Sequence, residues 1–209
     1  MHPKWDAHLP KHRNGDTCKA IAYTKKGLQC PHVIDNVLNH PLMNPNSIII
    51  NVKEDNQVIA RLVNMYHAVP PTGHSLQYLF EYDAEDLTPM VIIGDFNTHS
   101  TIWSMEGKTP STWARVFEDW LERTDFLVMN PHREPTWRSH RDTDQPSVID
   151  LVLANLYAHI SGQLSDVIVL WEEGLASDHT AMLFSIYPSD SVALLPVPAP
   201  NRYKAEPEN

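Results

Sequence analysis

Polar residues able to do chemistry stand at or within apolar runs. Asp95 and Asn97 lie in VIIGDFNTHSTIW (Val91 to Trp103), Asp150 interrupts VIDLVLAN, and Asp178 and His179 precede TAMLFSIY. Asn64 and Tyr66 close another run, ARLVNMY. If these runs are neighbouring strands, their polar ends converge on one rim, where a carboxylate is hydrated or binds a metal without the cost of full burial. Such a set fits cleavage of a phosphodiester. A divalent cation would take oxygen ligands from Asp178, shared by Asp95, and Mg²⁺ characteristically uses one or two carboxylates together with phosphate and water. Asp95 is the candidate base for an attacking water. His179, Asn97, Asn64 and the Tyr66 hydroxyl can donate to the phosphoryl oxygens, and Asp150 can hold the His179 ring in one tautomer. Taken singly, GDFN also reads as a turn and SDH as the start of a strand. Asp150 is the least bland, because an unpaired carboxylate inside an apolar strand is costly and implies a partner.

Strand-length β-branched runs would position these groups: Lys19 to Lys25, Ser47 to Lys53, Val58 to Tyr66, Met90 to Phe96, Val148 to Asn155, Leu164 to Trp171 and Thr180 to Tyr187. Helical spacing of Trp113, Val116, Phe117, Trp120 and Leu121 predicts a helix with one face on a sheet, capped by Thr109 or Ser111. Weaker helices are expected from His74 to Asp83 and from Pro31 to Leu38. The proline-rich end from Pro188 reads as a tail, so the expected organisation is a variable segment over 1–18, one mixed α and β domain over 19–187 and a tail over 188–209.

A length of 209 residues suits about one domain, and a net charge of −10 argues against a generic polyanion binder. Positive charge is concentrated in Met1 to Lys26 and in HREPTWRSHR, His132 to Arg141. Cys18 and Cys30 lack zinc-site spacing and read as free thiols of a reducing, intracellular compartment. The apolar runs are too short for a membrane span, so no membrane association is expected.

In order, NMY, IIGDFN, IDLVLAN and SDHTAM resemble the endonuclease/exonuclease/phosphatase superfamily. The resemblance covers about Lys19 to Tyr187 and implies an α/β (α+β) four-layer sandwich of two mixed sheets flanked by helices. It also implies catalytic roles for Asp95, Asn97, His179, Asp150 and Tyr66, with Asn64 helping to place the tyrosine. Asp178 and Asp95 would be associated with a Mg²⁺ or Mn²⁺ ion. His99 and Trp103 after GDFN, together with Thr136 in EPTW, resemble the endonuclease domains of non-LTR retrotransposons. That branch nicks DNA to leave a 3' hydroxyl that primes reverse transcription, which would place the chain in the nucleus. His99 either touches DNA or braces its loop, Trp103 packs, and Thr136 lies near the site. Arg138 and Arg141 are the expected DNA contacts, against the alternative of a solvated loop.

The superfamily begins with an Asn-bearing strand and helix and a second strand ending in QE, whose Glu binds the metal. No QE precedes Lys19, so the expectation is a chain lacking its first strand and helix, with weak or absent nicking. The alternatives are a non-catalytic remnant or binding module of the same fold, and a phosphatase or lipid phosphodiesterase of the superfamily.

Overall fold

The computed structural model describes residues 4–10, 18–26, 33–37, 40–68, 74–82, 87–139, 141, 144–171 and 177–187. Four runs of β-branched residues form its centre: β4 (Ser47–Glu54), β5 (Gln57–Tyr66), β6 (Met90–Asp95) and β8 (Asp150–Asn155). Asp55 and Asn56, both at positive φ, make the two-residue turn that folds β5 back on β4. Two short strands, β3 (Val33–Asn36) and β7 (Phe126–Val128), flank the centre to give a six-stranded sheet in the order β3-β4-β5-β6-β8-β7. Only the β5 and β6 pair within it is parallel, so the sheet is mixed. The fold is α+β.

Alternation along the strands sends side chains to two faces. Ile49, Val63, Met65, Ile92, Leu151 and Leu153 face helix α2 (Ala114–Thr124), which buries Ala114, Phe117, Trp120 and Leu121. Helix α1 (His74–Phe80) adds Leu76 and Leu79 to the same core. Leu62, Val91, Ile93, Val152 and Ala154 face the other way, toward helix α3 (Leu156–Ile160) and the pair β9 (Ile168–Leu170) and β10 (Ala181–Leu183). A second pair, β1 (Trp5–His8) and β2 (Ala22–Lys25), brings Ala20 and Ala22 over Ile48, Ile50 and Leu62 on that face. A cavity of about 260 Å³ there is lined by Ile21 to Thr24 of the β2 region and by Ile48, Ile50, Leu62, Asn64 and Ile93 of the sheet.

Several expectations are corrected. The segment expected to be helical around Val33 is instead strand β3, antiparallel to β4 from Val33↔Lys53 to Asn36↔Ile50. Pairing with an available sheet edge outweighs a helix-start signal that rested on Pro31 and Asp35. Val116 is 43% exposed, so the buried stripe of α2 is narrower than its spacing suggested. Neither expected cap closes α2: the N-cap position is Trp113, which makes no side-chain capping bond, and the Ser111 hydroxyl accepts the His99 amide. Residue 83 of the expected α1 and the tail over 188–209 lie outside the described residues. Cys18 is a free thiol, whereas Cys30 is outside the described residues. Among the described residues no helix is long and apolar enough to cross a membrane.

Candidate active site

Register alone assembles the rim. Tyr66 ends β5 opposite Asp95, and Asp95 ends β6 opposite Asp150, which begins the antiparallel β8. Counting by twos from Leu62, Ile93 and Val152 places Tyr66, Asp95 and Asp150 on the face covered by β9 and β10. His179 arrives from the residues just before β10, and its Nδ1 lies 2.9 Å from Asp150 Oδ2. Ligand atoms of Asp95, Asp150 and His179 all fall within 4.8 Å of one another.

The Asp95 loop is held under backbone constraint. Gly94 has φ +150, and a Cβ built on it would lie 1.8 Å from the Met65 carbonyl oxygen, so only glycine lets β5 and β6 approach this closely. Asn97 adopts φ +46, its amide donates to Asp95 Oδ1 at 3.0 Å, and its side-chain Nδ2 donates to the His67 carbonyl at 2.8 Å. His67, just past β5, grips the same loop: its amide donates to the Asp95 carbonyl, and its Nδ1 lies 2.8 Å from the Phe96 carbonyl oxygen. With Nδ1 donating and the ring buried, His67 is a neutral clamp whose pKa is lowered, chiefly by desolvation.

Electrostatics separate the titrating groups. Burial, then repulsion from Asp150, pushes the Asp95 carboxyl up to about 6. The hydrogen bond to Asp150 raises the His179 pKa against an opposing desolvation. Two carboxylates and an imidazole thus share a small volume, one carboxylate titrating just below neutral pH and the other committed to the histidine. With Asp150 and His179 bonded to each other, Asp95 is the carboxylate of this cluster left to ligate a hard divalent cation, which would relieve the crowding of charge.

The remaining expected residues take varied positions. Thr136 is wholly buried, and its hydroxyl accepts the amides of Ile149 and Asp150, so it reaches the site through Asp150. Asp178 accepts the Trp137 indole N–H at 3.0 Å and is not in the three-residue cluster above. Asn64 shares the rim face but donates to the Ile21 carbonyl. His99 is pinned by its backbone, whose amide donates to the Ser111 hydroxyl and whose carbonyl accepts the Ser111 amide, and burial and Lys108 lower its pKa. Trp103 is buried and donates to the Thr98 carbonyl. Arg138 is stacked 3.9 Å above the Trp171 ring, whereas Arg141 is exposed, its amide bonded to Ser139. Sequence reasoning missed His67, which directly follows NMY, and Asn130, whose side chain bridges the Asp150 carbonyl and the Val152 amide. Neither carries a local signal, because both act on residues distant in sequence.

Residues 60–183, more than half the chain, match the endonuclease-reverse transcriptase family, Exo_endo_phos_2. No curated protein sequence matches the chain. Its fold is similar to that of the endonuclease domain of TRAS1, a telomere-specific non-LTR retrotransposon, with TM-score 0.69 and 17% identity over 87% of this chain and 80% of that one. The AP endonuclease LMAP from Leishmania major gives TM-score 0.57 and 14% identity over 79% of this chain and 65% of that one. The 3' phosphatase NExo from Neisseria, bound to product DNA hairpin, gives TM-score 0.50 and 19% identity over 74% and 70%. At these identities the likenesses speak for the fold. The matched span holds Tyr66, Asp95, Asp150 and His179 together, and the chain belongs to the endonuclease-reverse transcriptase family of the endonuclease/exonuclease/phosphatase superfamily.

Proposed function

We propose that the chain is a divalent-metal-dependent phosphodiesterase that nicks DNA, of the kind carried by non-LTR retrotransposons. The observation that carries this reading is the in-register row of Tyr66, Asp95 and Asp150 with His179 bonded to Asp150. Asp95 accepts the proton of a water that attacks phosphorus as the bond to the departing sugar oxygen breaks, and that oxygen takes a proton from solvent to leave as a hydroxyl. A carboxyl poised near neutral pH is suited to that work. His179, whose protonated form Asp150 favours, donates through its outer nitrogen to the phosphoryl oxygens, beside the Tyr66 hydroxyl. Asn97 holds the Asp95 carboxylate in place through its amide. A cation at Asp95 and Asp178, Mg²⁺ or Mn²⁺, would bind the phosphate and offset the charge that builds on it.

Relaxation of supercoiled plasmid in Mg²⁺ and in Mn²⁺ tests the proposal, with Asp95→Ala beside the parent chain. Loss of nicking by roughly 10²–10⁴-fold in the variant is expected. Equal rates in the two proteins would sink it. Phosphate release from small monoesters without nicking would shift the reading toward a phosphatase like NExo.

A further inference from the structure

Two exposed cations stand at opposite ends of the catalytic row, and each is held by an aromatic face. The Lys19 ammonium lies 5.3 Å from the centroid of the Tyr66 ring. Its backbone is fixed by the amide bond to the Pro45 carbonyl at 3.2 Å and by the neighbouring Ala20, which is buried against Ile48 and Ile50. At the other end the Arg138 guanidinium lies 3.9 Å from the Trp171 ring centroid, and the Arg138 amide donates to the Asp178 carbonyl at 2.8 Å, next to His179.

Neither cation is neutralised by a carboxylate among the described residues. Lys26 and Arg133, by contrast, are bound to Asp6 and Glu106. In a chain of net charge −10, cations left unpaired beside a cluster of acids are conspicuous. A ring face orients a cation without cancelling its charge, so the N–H donors stay available to a ligand. Between the two lie Tyr66, Asp95 and Asp150 on three adjacent strands, each step about 4.8 Å. The row therefore extends over roughly 10 Å before the cations are reached. A nucleic acid strand presents a phosphate about every 3.4 Å of axis, so a span of that size takes the reacting phosphate and neighbours on both sides.

We infer that Lys19 and Arg138 are flanking phosphate subsites, positioned by Tyr66 and Trp171, one on each side of the reacting phosphate. The inference rests on the phosphodiesterase reading for its central phosphate. A small ester would occupy the centre alone and leave both cations unused.

Binding of a short DNA duplex to the full chain in EDTA, where cleavage is suppressed, tests the pair through its salt dependence. The slope of log K against log salt should become shallower by about 0.9 in Lys19→Met, by the same in Arg138→Met, and by about 1.8 in the double variant. Lys19→Arg should restore the parent slope. A double variant with the parent slope overturns the inference, as does a parent chain whose DNA binding shows no salt dependence. A change in only one single variant overturns the two-sided arrangement. Plasmid nicking separates this from the underlying reading: nicking that survives Asp95→Ala sinks the phosphodiesterase, whereas an unchanged slope in a chain that nicks sinks only the flanking subsites.

Discussion

The two faces of the central sheet are built to different standards. On the α2 face, Phe117 packs with ring centroids 5.2 Å from Phe96 and 5.4 Å from Trp103, and Trp120 stacks 5.0 Å from Phe126, all buried. On the opposite face the cover is thinner: Ile93, Met182, Phe184 and Ile186 are only partly buried, and Ile168 and Leu183 are exposed. Closure of one face holds the strands in register. Openness of the other leaves the rim of that same register partly exposed, where half-buried Asp95 and His179 can meet a ligand while Asp150 stays buried behind the histidine. The sheet thus serves as a rigid frame on one side and a platform on the other.

Breaking the frame should cost far more than thinning the platform. The largest effect is expected for Gly94→Ala, in the strand both faces share, because the new Cβ would meet the Met65 carbonyl oxygen at 1.8 Å. A loss of about 4–5 kcal/mol in urea unfolding is expected, with failure to express as the extreme outcome. A loss below about 1 kcal/mol would mean that β5 and β6 part easily. Next comes Phe117→Ala, which opens a hole beneath four aromatic neighbours, Phe80, Phe96, Trp103 and Trp120. About 3–4 kcal/mol is expected. Phe184→Ala on the platform should cost about 1–2 kcal/mol, since a half-buried ring keeps water contact in the folded state. Equal losses for Phe117→Ala and Phe184→Ala would erase the distinction between the faces.

The frame was largely legible in the sequence, and the reason is physical. β4, β5, β6 and β8 are runs of β-branched residues long enough to declare themselves. The rim residues are legible because a polar group that ends such a run contributes little to packing and must find water, a partner or a ligand. The edge strands were not. β1 has three exposed residues in four, β7 is three residues long, and β3 carries an aspartate soon after a proline, which together mimic a helix start. Their strand identity comes from partners far along the chain. The same holds for the site's supports: Lys19 over Tyr66, His67 against Phe96 and Arg138 over Trp171 join residues 47, 29 and 33 positions apart. Trp137 was visible within EPTW, but its bond to Asp178 was not.

The smallest expected effect is the most informative about the platform, because its sign is opposite. Asp95 has a carboxyl pushed up to about 6 from 3.8, so the folded metal-free chain holds this proton more tightly than the unfolded chain does. Stability from this group is therefore present at acid pH and is lost as the pH rises from about 4 through about 6. The shift corresponds to about 3 kcal/mol at most, discounted to about 1–2 kcal/mol because the carboxyl is partly exposed to solvent. Asp95→Asn removes the ionisation while leaving an oxygen for the Asn97 amide. In EDTA the variant should be more stable than the parent by about 1–2 kcal/mol at pH 7, with the gain fading to nothing near pH 4. Urea unfolding across that range measures it, and a gain independent of pH would assign the effect to packing instead of charge. Adding Mg²⁺ should then raise the melting temperature of the parent more than that of the variant, because only the parent keeps the carboxylate. A platform relieved in this way by a cation would be the counterpart of a frame that needs nothing further to hold its shape.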